Sequence, residues 1–428
     1  MVPAIVISDH KLLKELFSHP AALGKAQNPV FTVIGGKYGI VNAEGQVWEE
    51  QRKFAFKKLR ELGLTNSSIE LPLLEEAKCL LSWFEKRINR SITGCHIFNG
   101  PVVNIIWNVI SGKRSEWEAE EEPELIRKSI AVFRALNKTI MSGLAFAPSL
   151  RHVAPGIFGW TDWVNTHNDF EKLMDKETEN HAVKLDPSNP MDLIDHYLLE
   201  IKKTTDPSSS FYKEDGEQSL RAMLVELFLA GSETVANTLS YTLLYLSHFK
   251  DAQARVQQEI DDVIGDFRTP SLTDKKLMPY VEAVILETLR CSSILPLGSP
   301  HRMVEDLLFH GYFLPKGATV IASLYAIHHD PNVWGEDAET FRPERFLNKE
   351  MTSVVRHDAL MPFGSGKRIC LGEQLATNTL FLFLTSIYQK FDISPAPDSQ
   401  TPDFGSPPAI LKGPMPFSVV MKLRNADK

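Results

Sequence analysis

The stretch that decides the fold of this chain is MPFGSGKRICLGEQLA, residues 361–376, which is centred on Cys370. Three glycines flank the cysteine, and glycine lets a backbone turn tightly and approach a flat group closely. A helical pattern begins at residue 373, so the loop presents a thiol just before a helix N-terminus. Peptide N–H groups and the charges of Lys367 and Arg368 favour a thiolate there, which is a strong metal ligand. The alternative is a buried cysteine without chemistry.

Composition limits the classes of function that the chain can serve. Its 428 residues, 43% hydrophobic and 23% charged, allow one large domain over residues 1–428. The net charge of −8 gives a nucleic-acid role no electrostatic support. The four cysteines show no CxxC spacing, so we expect neither a disulfide framework nor a structural zinc site. No targeting or membrane-spanning run is apparent in the sequence.

A predicted helix near residues 45–60 places Trp48 and Arg52 four positions apart, on one face. Taken alone, this pattern equally fits an amphipathic helix with a buried tryptophan and an exposed arginine. The same helix carries a run of basic side chains in an acidic protein. We predict that this run docks an acidic partner, with a solvated helix face as the alternative. The basic residues are Lys53, Lys57, Lys58 and Arg60.

A long buried helix is predicted from Ser219 to Phe249, because the stretch is apolar on nearly all sides. Within it, the run Ala230-Gly-Ser-Glu-Thr234 breaks local rules, since glycine weakens a helix and a buried acid needs a partner. Several broken rules at one place indicate function. The alternative is that Thr234 bonds back to a carbonyl and Glu233 faces solvent.

Glu287 and Arg290 lie three apart on a further predicted helix, which is a common helical ion pair. The later segment Phe341–Phe346 holds Arg345. By themselves these residues indicate no chemistry.

The spaced motifs together resemble those of the cytochrome P450 family. Phe363, Gly366, Arg368, Cys370 and Gly372 match the haem-ligand loop of that family, and the motifs at residues 48–52, 230–234 and 287–290 follow in the family's order. The segment 185–195 is similar to the animal microsomal branch, which includes drug- and steroid-metabolising enzymes. The resemblance implies a mainly α fold with a small β-rich lobe. It also implies that this chain starts later than those relatives, without their N-terminal membrane anchor.

The resemblance assigns roles to individual residues. It implies haem b with Cys370 as the iron ligand, and Glu233 and Thr234 as the pair that delivers protons during oxygen activation. It implies that the haem propionates are held by Trp48, Arg52, His301 and Arg368. A buried structural network is implied for Glu287, Arg290 and Arg345, and a substrate pocket for Ala230, Ile294, Leu295, Leu297 and Leu411.

The implied reaction inserts one oxygen atom of O₂ into a small lipophilic substrate. Electrons are expected from NADPH through a separate flavoprotein, an NADPH-cytochrome reductase, which docks on the basic helix. The cytosolic face of the endoplasmic reticulum membrane is the expected location, and the aromatic, Pro/Gly-broken segment 146–163 is expected to form a pocket lid, a membrane-dipping loop or a buried connector. The tail 409–424 is predicted to form a strand, a turn at 411–414 that completes the pocket, and a second strand.

Two other functions stay open at this point. One is a haem-thiolate isomerase or dehydratase that acts on peroxides and needs no reductase; the Glu233–Thr234 pair argues against it, because that chemistry needs no proton delivery to O₂. The other is an inactive binder of haem or a lipophilic ligand.

Overall fold

The computed structural model describes residues 3–63, 69–119, 122–397 and 403–424. Helices dominate these ranges, and three small sheets accompany them. The predicted mainly α fold with a small β-rich part is therefore confirmed. No helix in the described ranges is both long enough and apolar enough to cross a membrane.

The α-helices are α1 His10–Ser18, α2 Pro29–Thr32, α3 Gly45–Glu61, α4 Glu70–Glu85, α5 Asn99–Ser111, α6 Glu124–Thr139, α7 Trp160–Lys184, α8 Leu193–Lys203, α9 Lys213–His248, α10 Lys250–Val263, α11 Pro279–Ser292, α12 Leu324–His328, α13 Pro331–Trp334 and α14 Glu373–Lys390. The strands are β1 Ala4–Ile7, β2 Gly24–Lys25, β3 Ser91–Thr93, β4 His301–Arg302, β5 Leu307–Phe309, β6 Tyr312–Leu314, β7 Thr319–Ala322, β8 Phe391–Pro395 and β9 Ser418–Leu423.

The largest sheet has the strand order β1-β7-β4-β2, and it joins the start of the chain to its second half. Strand β1 pairs in parallel with β7, with Ala4 opposite Thr319. A second sheet has the order β3-β9-β8, and β5 and β6 form a separate hairpin. Strand β7, which follows this hairpin in the chain, belongs to the first sheet.

Helix α9 forms the centre of the fold and packs against α5, α7, α8, α10, α11 and α14. It begins six residues before the predicted start. Most of its side chains are buried, and they lie on all sides of the helix, as predicted. This position explains its composition, because a helix surrounded by other helices has no face left for solvent.

The tail differs from its prediction. Only Ser418–Leu423 is a strand, and the described residues before it, from 403 to 417, are irregular. Prolines at 407, 408, 414 and 416 explain the difference, because proline has no N–H to donate to a β-ladder.

Candidate cofactor and active site

The cysteine loop is held closely against the start of the chain. Gly366 has a φ of +72°, and a Cβ at this position would lie 2.1 Å from the carbonyl oxygen of Phe17 on α1. Only glycine meets both conditions. After this turn, the Cys370 N–H donates to the Phe363 carbonyl at 2.9 Å, which fixes the thiol just ahead of α14.

The Cys370 side chain is accessible, although protein atoms surround it closely. Burial raises the pKa of the thiol, and the N–H groups of Gly372 and Glu373 together with Arg52 oppose that shift without overcoming it. An accessible group that is also desolvated faces an internal space rather than bulk water. Arg52, and not Lys367 or Arg368, is the cation that acts on this thiol, which corrects the source of positive charge expected from the loop sequence.

Trp48 packs against Arg368, which lies in the same loop as Cys370. The indole Nε1 of Trp48 is buried and has no hydrogen-bond partner among the described residues. The Arg368 guanidinium lies 4.0 Å from the Trp48 ring centroid, and burial lowers its pKa to about 10. Its N–H groups donate to the carbonyls of Leu23 and Ala43 at 2.9 Å and 2.7 Å. Arg368 thus fixes the segment before α3 while placing its charge beside an unused donor.

Arg52 and His301 extend the same surface. Arg52 Nη2 donates to the Ile369 carbonyl at 2.6 Å, directly beside the thiol. The His301 ring stacks on Phe17 at 3.9 Å, and its Nδ1 donates to the Ala22 carbonyl at 2.8 Å. Burial lowers the pKa of His301 to about 3, so the ring is neutral and its Nε2 is the second polar atom of the ring.

These groups suit haem. Two guanidinium groups and an indole N–H are donors for the two carboxylates of the haem edge. His301 becomes a further donor only when Nε2 is protonated, because its Nδ1–H is already bonded to the Ala22 carbonyl. An orphaned buried indole N–H costs free energy unless it gains an acceptor, and a propionate is such an acceptor. The thiol beside them is the ligand type that a haem-thiolate protein needs.

The run 230–234 lies inside α9, which is continuous through it. Ala230 is exposed although its neighbours in the helix are mostly buried, so it too faces an internal space. The Thr234 hydroxyl donates to the Ala230 carbonyl at 2.7 Å, which is the back-bonded arrangement considered as an alternative. A Cβ on Gly231 would lie 2.5 Å from Ile106 on α5, so this glycine permits close helix packing.

Glu233 is partly buried. Burial raises the pKa of its carboxyl to about 7, and the distant charge of Arg134 opposes this shift. A carboxyl group with this pKa can accept and release a proton near neutral pH.

Residues expected in the substrate pocket come from separate parts of the chain. The Lys412 N–H donates to the Ile294 carbonyl at 2.8 Å, and this bond brings Leu411 close to Ile294. Both side chains are buried, while Leu297 is 48% exposed. Leu295 is partly buried and packs on the core.

Glu287, Arg290 and Arg345 form the buried network that the resemblance implied. Glu287 contacts Arg290 at 2.7 Å and Arg345 at 2.8 Å. Glu287 and Arg290 have no exposed surface. The remaining N–H groups of Arg290 donate to main-chain carbonyls, including those of His328 and Ala338 at 2.7 Å.

Two buried ionisable side chains were not predicted from the sequence. They lie near the cofactor surface, the name used below for the group of Cys370, Trp48, Arg52, His301 and Arg368. Lys25 Nζ donates to Ser299 Oγ at 2.7 Å, and burial lowers its pKa to about 7. Glu226 on α9 accepts from the Ile40 N–H at 2.5 Å, and burial raises its pKa to about 7. Glu226 could have been found, because it is an acid in an apolar helix, as Glu233 is. Nothing local marks Lys25.

A cysteine thiol, a set of buried donors for carboxylates and an acid–threonine pair on a central helix define a haem-thiolate oxygenase. The model of the family described as Cytochrome P450 matches residues 1–421. Farnesoate epoxidase from Bombyx mori is 35% identical over 92% of this chain and 78% of its own length. Cytochrome P450 2U1 from Homo sapiens is 33% identical over 98% of this chain and 77% of its own length. Cytochrome P450 2B2 from Rattus norvegicus is 34% identical over 92% of this chain and 79% of its own length.

The chain belongs to the cytochrome P450 family. It is therefore an oxidoreductase, a haem-dependent monooxygenase.

Proposed function

We propose that the protein, as a single domain, oxidises a small apolar organic molecule with electrons from NADPH supplied by a separate reductase. The observations that support the proposal are an accessible Cys370 on the loop before α14 and, on the central helix α9, a Glu233 carboxyl whose pKa burial raises to about 7. A peroxide isomerase has no need of such an acid. The expected pocket side chains are all apolar, which supports an apolar substrate.

Haem ligated by Cys370 supplies the activation of O₂, and a thiolate ligand favours cleavage of the O–O bond. The side chains that hold its propionates in this proposal are Trp48, Arg52 and Arg368. His301 joins them once the negative charge of a propionate raises its pKa enough to protonate Nε2.

Glu233 and Thr234 move protons in this proposal. Glu233 takes a proton from solvent, since its raised pKa keeps both forms populated near pH 7. The Thr234 hydroxyl donates a hydrogen bond to the Ala230 carbonyl, and its oxygen can accept another hydrogen bond. Rotation about its Cα–Cβ bond would break the bond to Ala230 and free the hydroxyl to donate to another acceptor.

Farnesoate is the first substrate to test, because the Bombyx mori relative is named for its epoxidation. Purified haem-loaded protein, reductase, NADPH and ¹⁸O₂ should convert farnesoate to a product that carries one ¹⁸O atom. Thr234→Ala should keep consuming NADPH but release hydrogen peroxide instead of product. Thr242→Ala is the matched control, because Thr242 makes the same back-bond, to the Thr238 carbonyl at 2.9 Å, two turns along α9. We expect it to retain coupled turnover.

The outcomes separate the candidate functions. Turnover only with an organic hydroperoxide, without NADPH, would replace the proposal with peroxide isomerase or dehydratase chemistry. No turnover of farnesoate together with NADPH-dependent oxidation of another lipophilic molecule would reject the substrate alone. Absence of both reactions from haem-loaded protein would favour a ligand binder.

The reductase docks on α3 in this proposal. Lys53 and Arg60 are exposed and make no ion pair within the described ranges, and Phe56 between them is 55% exposed. Lys58 and Lys57 are partly neutralised by Glu61, at 2.7 Å and 3.9 Å. Lys53→Glu should raise the KM for reductase and leave peroxide-supported turnover unchanged. An unchanged KM, or an equal effect of Lys172→Glu on α7, would contradict this docking surface.

Peripheral contact with the endoplasmic reticulum membrane, on its cytosolic face, is proposed for the segment between α6 and α7. Phe146, Val153 and Ile157 are 87%, 79% and 80% exposed there. Exposed apolar side chains on one segment favour insertion into a lipid surface. Phe146→Ser should weaken sedimentation with phosphatidylcholine vesicles, whereas Val183→Ser, equally exposed at the end of α7, should not. Equal losses in both variants would reject this segment.

A further inference from the structure

The turn Leu411–Pro414, called the tail turn below, is held from three sides at Lys412. Its N–H donates to the Ile294 carbonyl at 2.8 Å, and its carbonyl accepts from Asn237 Nδ2 on α9 at 3.2 Å. Its ammonium lies 4.7 Å from the ring centroid of Tyr325 on α12. Three separate elements therefore fix the position of one residue.

Tyr241 adds a second attachment one turn further along α9. Its buried hydroxyl lies 3.0 Å from the Gly413 carbonyl and 3.1 Å from the Gly405 carbonyl, and these two oxygens share its single O–H donor. Gly413 also fits closely against Asn237, since a Cβ there would lie 3.3 Å from Asn237 Nδ2. The tail turn and the polar face of α9 are thus in direct contact.

These contacts matter because the tail has no β-ladder of its own at this point. The segment 403–417 is irregular, and its prolines cannot donate main-chain hydrogen bonds. Side chains of α9 therefore hold this segment in place by hydrogen bonds, as strand pairing holds other segments of the chain. An asparagine in a buried helix is costly unless it is bonded, and Asn237 gains its partner from the tail turn.

The helical positions connect this attachment to the reaction. Asn237 follows Thr234 by three residues and precedes Tyr241 by four, so the three side chains share one face of α9. The proton-delivery pair and the tail turn are therefore placed by the same helix face. A change at Asn237 should move Leu411 relative to Ile294 without touching the cysteine loop.

We propose that Asn237 and Tyr241 are positioning residues for specificity: they hold the tail turn so that Leu411 and Ile294 shape the pocket beside the iron. The proposal rests on the proposed function, because it needs haem bound at Cys370. It concerns the size and shape of ligand that fits, and it leaves ligation of the iron unchanged.

The test compares two azoles that ligate haem iron through nitrogen. Imidazole is small, whereas 1-phenylimidazole also places a phenyl ring among the pocket side chains. In haem-loaded Asn237→Leu, we expect the Kd of 1-phenylimidazole to rise about tenfold, which corresponds to about 1.4 kcal/mol. The Kd of imidazole should stay within about twofold of the parent value. Tyr241→Phe, a milder change that keeps the ring, should shift the same ratio by about threefold.

The control is Ser240→Ala on the same helix, because the buried Ser240 hydroxyl has no hydrogen-bond partner among the described residues. It should change neither affinity. Amide hydrogen exchange in a peptide that contains Lys412 should accelerate in Asn237→Leu and Tyr241→Phe only. Gly413→Ala should weaken 1-phenylimidazole binding in the parent protein, but add little in an Asn237→Ala background, where the side chain it meets is shortened.

The results decide between distinct failures. Unchanged exchange at Lys412, equal changes for both azoles, or strictly multiplicative effects of Gly413→Ala and Asn237→Ala would each overturn the positioning role. No azole spectrum in the parent protein would instead overturn haem binding itself, and the exchange measurement would then still test the attachment of the tail turn.

Discussion

Two polar clusters in the interior differ in how completely their groups are satisfied. The Glu287 cluster has every charge paired, with contacts of 2.7 Å and 2.8 Å to Arg290 and Arg345. The cofactor surface contains a buried Trp48 Nε1 without a described partner, and a Lys25 whose pKa burial lowers to about 7. The first cluster is complete as folded, whereas the second is complete only with an acceptor from outside the chain. An unsatisfied buried N–H beside the cysteine loop therefore fits a ligand site, whereas a fully paired cluster of charges does not.

The largest expected effect is at the cysteine itself. Cys370→Ala should abolish the carbon monoxide band of thiolate-ligated reduced haem, since this thiol is the one placed on the cofactor surface. Cys79→Ala on α4 is the control and should keep that band. Retention of the band in Cys370→Ala would remove Cys370 from the site.

The second-largest expected effect tests the Glu287 cluster, in which every charge is paired. Glu287→Gln removes the counter-charge of the fully buried Arg290, while Arg345 keeps Asp337 at 3.4 Å. We expect about 3–5 kcal/mol less free energy of unfolding for the haem-loaded protein. Urea unfolding measures it. Asp169→Asn, which breaks the exposed pair with Lys172 at 2.9 Å, should cost at most about 1 kcal/mol. Equal costs would show that the contrast between buried and exposed pairs is wrong.

Trp48→Phe tests the incomplete cluster. Removing the unpartnered indole N–H should speed haem transfer to apomyoglobin by roughly tenfold, because a hydrogen bond to a charged acceptor contributes about 1.5 kcal/mol. Trp334→Phe is the opposite case, since its Nε1 already donates to the Ile327 carbonyl at 2.8 Å. It should lower the free energy of unfolding and leave the haem transfer rate unchanged. The reverse pattern would contradict the assignment of Trp48 to a propionate.

The smallest expected effect concerns a third polar cluster, which is formed by His181, Asp192 and Glu177. Burial opposes the charge on His181, but Asp192, at 2.9 Å, and Glu177 raise its pKa to about 9. Because this lies above the value of about 6.5 in an unfolded chain, the stabilisation is complete below pH 6.5 and is lost as pH rises through 9. Allowing for solvent screening, His181→Asn should cost about 1 kcal/mol at pH 6 and almost nothing at pH 10. A cost independent of pH, measured by urea unfolding, would exclude the ion pair.

Features that depend on local spacing were predictable from the sequence. Trp48 and Arg52, or Glu287 and Arg290, share a helix face whatever the rest of the chain does, because the helical repeat fixes it. The long helix was predictable for the same reason, and its acid at 233 stood out against apolar neighbours.

Features that depend on distant partners were not predictable. Lys25 lies in a short strand without any pattern, and only the fold brings it to Ser299. Arg368 was expected to act on the cysteine, yet the fold directs its N–H groups to carbonyls near the start of the chain. The first strand predicted for the tail 409–424 is absent, because the prolines there cannot donate to a β-ladder.

The bond from Arg368 to the Leu23 carbonyl spans 345 positions of the chain. A ribosome must therefore release nearly the whole polypeptide before the two halves of the haem cradle can meet, and closing so long a loop is entropically slow. Haem capture is then a late, largely post-translational event. Until it occurs, the apolar walls of the cradle are open to misassociation, so the supply of haem once the chain has been released should decide the yield of folded protein.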